Sequence, residues 1–170
     1  MRGGFVIEPL GAQERSAFSC STVPLDRYLR EQASQDVKRL VASCFVVVEA
    51  ATRTLAGYYT LAATSVAAND LPPEWVKRLP RYPLLPAALI GRLAVDQRYQ
   101  GRGIGSALLA DAALRVLRSD MKALALIVEA KDEQAVAFYQ LQGFTPFASR
   151  PLSLYLPLAT VKKGANWPKA

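Results

Sequence analysis

Apolar and polar positions along this 170-residue chain fall into two periods, one near two residues and one near three and a half. Short apolar runs rich in β-branched residues, FVIEPL (5–10), SCFVVVEA (43–50) and TLAGYYTLAATSV (54–66), predict three strands, the last two forming a hairpin around ATRT. PLDRYLREQASQDVKRL (24–40) spaces Leu25, Tyr28, Leu29, Val37 and Leu40 at helical intervals, which predicts one helix with those residues on one face. AALIGRLAVD (87–96) and KALALIVEA (122–130) are apolar on both alternating faces and predict central strands. GIGSALLADAALRVLRSD (103–120) predicts a helix whose apolar side is Leu108, Leu109, Ala112, Leu114 and Val116. DEQAVAFYQLQ (132–142) predicts a second helix, capped by an Asp at its start and ended by Gly143. GFTPFAS and RPLSLYLPL, within 143–158, predict two closing strands. NDLPPEWVKRLPRYPLLP (69–86) holds five prolines and reads as a long surface loop with a short helix near Trp75. The order of elements predicts an α/β domain with a mixed sheet.

Composition narrows the chemistry. At 51% hydrophobic and 21% charged, the chain is globular rather than disordered. No apolar run approaches the ~18 residues of a membrane span, and MRGGFVIEPL lacks a leader core and cleavage site. Cys20 and Cys44 stand far apart without metal spacing, and Cys44 reads as a buried, reduced thiol. A cytoplasmic protein without a metal centre or membrane contact is expected. Histidine is absent, which removes the Ser-His-Asp triad and imidazole bases. Net charge is +7, and the excess is concentrated: Lys77, Arg78, Arg81, Arg92, Arg98 and Arg102 face one acid, Asp96, between Trp75 and Arg102. Such a stretch is either a solvated basic face or a surface for phosphates.

RYQGRGIGSALLADAALRVL (98–117) sets Gly101, Gly103 and Gly105 at a helix start, although glycine costs a helix about 1 kcal/mol relative to alanine. A loop bare of side chains lets the unpaired N–H groups of a first helical turn close on a phosphate. The Walker pattern fails, since Ser106 and Ala107 follow Gly105 where Lys-Ser/Thr is required. The dinucleotide pattern fails too, because the spacing is G-x-G-x-G. A glycine turn needed only for tight packing stays open.

QGRGIG (100–105) resembles the acyl-CoA loop of the GNAT (GCN-five-related N-acetyltransferase) superfamily. RLAVD (92–96) resembles that family's splayed strand, and DEQAVAFYQLQGF (132–144) its second conserved segment, with Asp132 where many members have Asn. The resemblance spans residues 5–158. It implies a single-domain GNAT fold over 1–160 with a splayed acyl-CoA-binding strand in a mixed central sheet flanked by helices, and a C-terminal tail over 161–170 that reads as frayed. It implies acetyl-CoA held by Leu93, Ala94, Val95, Gln100, Gly101, Arg102, Gly103, Ile104, Gly105, Ser106, Asp132 and Phe138, with Arg98 adding charge at the pyrophosphate. Tyr139 corresponds to the family tyrosine that protonates the departing thiolate.

LDRYLREQASQDVKR, GYYTLAA, RYPLLPAALIGRLAVD and GRGIGSALLADAALR together resemble the GNAT toxins of bacterial toxin–antitoxin pairs. That resemblance implies acetylation of aminoacyl-tRNA, inhibition of translation, and a ribbon-helix-helix antitoxin through which DNA is bound; a homodimer is left open. Lys77, Arg78, Arg81, Arg92 and Arg98 would then form the tRNA-facing surface. An aminoacyl α-amine has a pKa at or below about 8, against about 10.4 for lysine, so it needs less help from a base. Two alternatives remain: a GNAT enzyme acting on a small-molecule or protein amine, and a non-catalytic module that binds CoA or nucleic acid.

Overall fold

The computed structural model describes residues 4–163. In chain order the elements are β1 (Phe5–Pro9), α1 (Val23–Arg27), α2 (Ala33–Lys38), β2 (Ser43–Glu49), β3 (Leu55–Ala67), α3 (Pro73–Val76), β4 (Leu84–Ile90), β5 (Leu93–Val95), α4 (Ile104–Arg118), β6 (Ala125–Glu129), α5 (Glu133–Leu141), β7 (Thr145–Pro146), β8 (Ser153–Pro157) and α6 (Leu158–Lys162). α6 enters the predicted tail, and residues 164–170 lie outside the described residues. The chain forms two compact units, one of residues up to Ala62 with Gly91–Ala112, the other of Ala63–Ile90 with the residues from Ala113 on.

In the first unit β1, β2, β3 and β5 pair antiparallel, with a bulge between Val47 and Val48. One face packs Cys44, Val46, Val48, Tyr58 and Ala94 against Phe18, Tyr28, Leu29 and Ala33. Gly57 belongs to the other face, and its lack of a side chain is required. A Cβ there would meet the Ala94 carbonyl at 2.8 Å and the Leu108 side chain at 3.4 Å, so glycine lets β5 and α4 close on β3. Cys44 and Cys20 are buried thiols outside any disulfide, as expected for Cys44, and burial pushes the Cys44 thiol up to about 12.

The segment 24–40 departs from the predicted single face. A π-helical turn at Tyr28–Gln32 separates α1 from α2. The wider turn shifts the phase of everything after it, so Tyr28, Leu29 and Ala33 are buried while Val37 and Leu40 are exposed. Leu40 is 93% exposed and left-handed, φ 62°.

In the second unit β4 and β6 run parallel, and β8 pairs antiparallel with β6 and with β7. The core gathers Val66, Leu71, Leu85, Ala87, Ile127, Phe147 and Tyr155, with Trp75, Val76 and Leu79 packed on it. The parallel pair requires a crossover between β4 and β6, and α4 lies in that connection. Of its predicted apolar side, Leu108, Leu109, Ala112 and Val116 are buried but Leu114 is 41% exposed. At 100° per residue Leu114 lies 200° from Ala112, on the opposite side of the helix. The predicted strand 87–96 is two strands, β4 and β5, interrupted at Gly91 and Arg92 and paired to different partners.

Candidate active site

The glycine loop takes the form that its composition requires. Gly101 and Gly103 have φ of +78° and +80°, the left-handed region that favours glycine. No atom lies within 4 Å of where a Cβ would stand at either position. Glycine is therefore used for backbone conformation and an unobstructed surface, not for packing, which excludes the packing-only reading at these two positions. Ala107 N–H donates to the Gly103 carbonyl at 3.1 Å, the first helical bond of α4. The N–H groups of Ile104, Gly105 and Ser106 thus precede any intrahelical acceptor and carry the positive end of a fifteen-residue helix. Arg102 is exposed beside them, its guanidinium 5.2 Å from the Tyr99 ring centre.

β5 presents a second row of main-chain groups. Thr60 N–H donates to the Arg92 carbonyl at 3.0 Å, and Asp96 N–H donates to the Ala56 carbonyl at 2.8 Å. Only alternate residues of an antiparallel strand bond to the same neighbour. The backbones of Arg92, Ala94 and Asp96 are therefore directed to β3, and those of Leu93 and Val95 face away from it. Of the three predicted residues, Ala94 has its backbone engaged within the sheet. Gln100 Nε2 donates to the Val95 carbonyl at 3.2 Å, which braces the loop on β5.

Asp96, which sequence reasoning did not select, fixes the start of this loop. Its side chain is fully buried and accepts from Ser19 N–H (3.0 Å), Arg98 N–H (2.9 Å), Arg98 Nε (2.9 Å) and Arg98 Nη2 (3.0 Å). Burial alone would raise its carboxyl; the hydrogen bonds and charge of Arg98, with the N–H of Ser19, outweigh this and hold it below the usual carboxylate range. Arg98 is consequently ion-paired with Asp96, while half of its side chain stays open to solvent. The readable signal was the acid ending RLAVD, two residues before an arginine. Arg92 is also engaged: its guanidinium stacks 3.6 Å from the Tyr28 ring centre, and Tyr28 donates its hydroxyl hydrogen to Asp36 at 2.7 Å.

In the second unit, α5 carries the other predicted residues. Asp132 caps the helix by accepting from Ala135 N–H at 2.8 Å. Tyr139 is buried, with its ring 5.3 Å from Phe138 and 5.7 Å from Phe144, both edge-on. Burial raises its phenol above the ordinary value, so it is protonated at neutral pH, the form a proton donor needs. Lys77, Arg78 and Arg81 are exposed on the segment after α3, anchored by Trp75, Val76 and Leu79. Among the described residues none of these three cations forms a salt bridge. The predicted basic surface thus divides: three cations without a salt bridge in this unit, and in the other Arg92 stacked on Tyr28 and Arg98, half exposed, ion-paired with Asp96.

A helix start with N–H groups bared by two left-handed glycines, next to a strand that turns backbone groups outward, is the arrangement that the acyl-CoA reading of the sequence requires. The sequence profile of the acetyltransferase (GNAT) domain matches residues 41–146, and the chain belongs to that family. It is 32% identical to a probable toxin TacT of Sinorhizobium fredii, over 92% of this chain and 93% of the relative. It is 35% identical to a tRNA-acetylating toxin of Mycobacterium tuberculosis, over 85% of this chain and 86% of the relative. Among solved structures it is similar to AtaT complexed with acetyl-methionyl-tRNAfMet, with TM-score 0.86, 27% identity and coverage of 94% and 98%. It is similar also to AtaTR bound with acetyl-CoA (TM-score 0.77, 25%, coverage 94% and 97%) and to a KacTA–DNA complex (TM-score 0.76, 25%, coverage 94% and 96%).

Proposed function

We propose that this chain is an acetyl-CoA-dependent N-acetyltransferase, a toxin that acetylates the α-amino group of aminoacyl-tRNA and so inhibits translation. The observation that carries the acetyltransferase part is the loop 100–106, where Gly101 and Gly103 hold a positive φ with open space above them. Similarity to a tRNA-acetylating toxin over most of both chains supports the substrate.

The residues fit acetyl-CoA. The N–H groups of Gly103 through Ser106, with Arg102, suit a pyrophosphate. The outward N–H groups of Leu93 and Val95 suit the amide-bearing arm and the thioester carbonyl. Bound acetyl-CoA supplies an activated acetyl thioester. Gln100 braces the loop, and Phe138 supports the Tyr139 ring. Tyr139 gives its phenolic proton to the leaving sulfur. Asp132 sets the position of α5 as its cap. Lys77, Arg78 and Arg81 hold the phosphates of the RNA. Arg92 and Arg98 act through the conformation of Tyr28 and of the loop.

A ribbon-helix-helix antitoxin, DNA contacted through it, and a homodimer belong to the same proposal; the likeness to the KacTA–DNA structure supports the contact with DNA. No helix among the described residues is long and apolar enough to cross a membrane, and the cytoplasm is where charged tRNA occurs. Labelled acetyl-CoA offered to charged tRNA, deacylated tRNA and a pool of polyamines and peptides tests the substrate. Label on charged tRNA alone is expected; label on the amine pool instead would contradict it.

A further inference from the structure

A chain without histidine needs another way to strip the proton from an attacking ammonium group. In the first unit one cation is placed to do this by its charge. Arg92 stands directly before Leu93, whose outward N–H suits the thioester arm, and consecutive Cα atoms lie about 3.8 Å apart. Thr60 fixes its backbone twice: Thr60 N–H donates to the Arg92 carbonyl at 3.0 Å, and Thr60 Oγ1 accepts from Arg92 N–H at 3.1 Å. The side chain is partly buried, with the guanidinium 3.6 Å from the Tyr28 ring centre. Tyr28 is held in turn. Its ring stacks on Tyr58 at 6.3 Å between centres, and its hydroxyl donates to Asp36, which also accepts from Gln32 Nε2 at 2.9 Å. The π-helical turn carries both Tyr28 and Gln32, and such turns recur at functional sites. Stacking holds the guanidinium flat but leaves its N–H edge unused: among the described residues it forms no hydrogen bond and no salt bridge. A partly buried cation with uncommitted donors is costly until a ligand completes it. The titratable groups that face it are Tyr28, Asp36 from α2, Cys44 from β2 and Tyr58 from β3. Burial keeps both phenols and the thiol protonated. Asp36, held below the usual carboxylate range by its bonds from Gln32 and Tyr28, is the one anion of this set; Arg39 near it and Arg15 near Cys44 add positive charge.

We propose that Arg92 is a catalytic residue that donates to the carbonyl oxygen next to the attacking amine and, by its charge, drives the surplus proton of that amine into solvent. The inference rests on the acetyl-transfer reading above and narrows the acceptor to an amine whose carbon adjoins a carbonyl. A polyamine or a lysine side chain offers no such oxygen. A guanidinium bonded to it lies close to the nitrogen, and a nearby like charge disfavours the ammonium form. An aminoacyl α-amine starts at or below about 8, so a modest shift leaves it neutral at physiological pH. The ammonium first loses one proton to water. The neutral nitrogen then bonds to the acetyl carbon as the carbon–sulfur bond breaks. The thiolate takes a proton from Tyr139, the nitrogen gives its remaining surplus proton to water, and solvent restores Tyr139. Tyr28 is a positioning residue, and Asp36 moderates the charge from beyond the Tyr28 hydroxyl.

The test is the pH dependence of single-turnover acetylation of RNA carrying an amide-linked amino acid, which withstands alkali. The wild-type rate should follow an apparent pKa about one unit below that of the free amine. Arg92→Gln keeps a donor and removes the charge, so it should return this value to that of the free amine. Its rate should then be about tenfold below wild type at about pH 6 and within a few fold of it at about pH 9. Arg92→Lys should keep most of the wild-type shift. Asp36→Asn should move the profile further down, opposite in sign to Arg92→Gln, which damage to the fold does not produce. It decides alone should Arg92→Gln fail to fold. An unshifted profile in Arg92→Gln, with any loss equal at every pH, would overturn the inference. So would an unshifted or raised profile in Asp36→Asn, or transfer to a polyamine as fast as to the aminoacyl RNA. If the wild type acetylates another amine and not charged tRNA, the tRNA reading falls; Arg92 keeps its role only where that amine adjoins a carbonyl and shows the same shifts. Transfer to no amine at all would strike the acetyl-transfer reading and this inference with it.

Discussion

Tyr139 and Asp96 show two uses of burial at single residues. Tyr139 is buried among aromatic rings, which raises its phenol and keeps the proton available. Tyr139→Phe retains the ring and removes the proton; turnover should fall roughly 10²–10⁴-fold with acetyl-CoA affinity nearly unchanged. Single-turnover kinetics beside calorimetry checks this, and full activity would reduce Tyr139 to packing. Asp96 is buried with its charge intact, because four donors surround it. Its folded pKa is depressed, so its contribution to stability is present above the unfolded value near 3.9 and is lost as pH falls through the folded one. Asp96→Asn should cost about 1–3 kcal/mol at neutral pH, the range for leaving buried donors unpaired, and less to the extent that solvent screens Arg98. Melting curves of the two proteins should start to converge as pH falls below about 4 and meet only below the depressed folded value. Tyr139 was legible through its motif, whereas Asp96 was hidden by the neighbouring arginines, which read as a surface for phosphates. Sequence counts charges but does not say which are already paired.

Elements with a simple period were readable, and those with an irregularity were not. The strands of the hairpin and the capped α5 follow alternation and capping, so their bounds came close. The break at Gly91–Arg92 arises from the pairing of β4 and β5 to different strands, and the π-helical turn at Tyr28–Gln32 leaves no mark in the apolar spacing. That is why the face of 24–40 and the continuity of 87–96 were misjudged. In the proposed reading the glycine loop is the element on which cofactor binding depends. Gly103→Asp places a carboxylate beside the α4 N-terminus, where open space lets the fold accept it. The positive φ should cost about 1–2 kcal/mol of stability, while acetyl-CoA affinity should be lost through charge repulsion. Unchanged affinity in a folded Gly103→Asp protein would remove the loop from the cofactor site.

For the whole molecule the question is what its excess positive charge meets. Net charge is +7, and Lys77, Arg78 and Arg81 are its exposed, unpaired part near Trp75. Phosphate contacts release counterions, so acetylation of charged tRNA should weaken as salt rises. Arg78→Glu should raise KM, flatten that dependence and leave acetyl-CoA affinity alone. Equal salt slopes for both proteins would exclude this segment as the RNA surface. The fold class and the cofactor were legible from paired motifs, but the substrate came through family likeness, since no periodicity encodes a nucleic acid. The most direct measurement is therefore of the product: charged tRNA incubated with the protein and acetyl-CoA, stripped with mild alkali, and the released amino acid identified by mass spectrometry. The account predicts N-acetylated amino acid with wild type and free amino acid with Tyr139→Phe. Free amino acid with the wild type, while acetyl-CoA is consumed on a different amine, would contradict it.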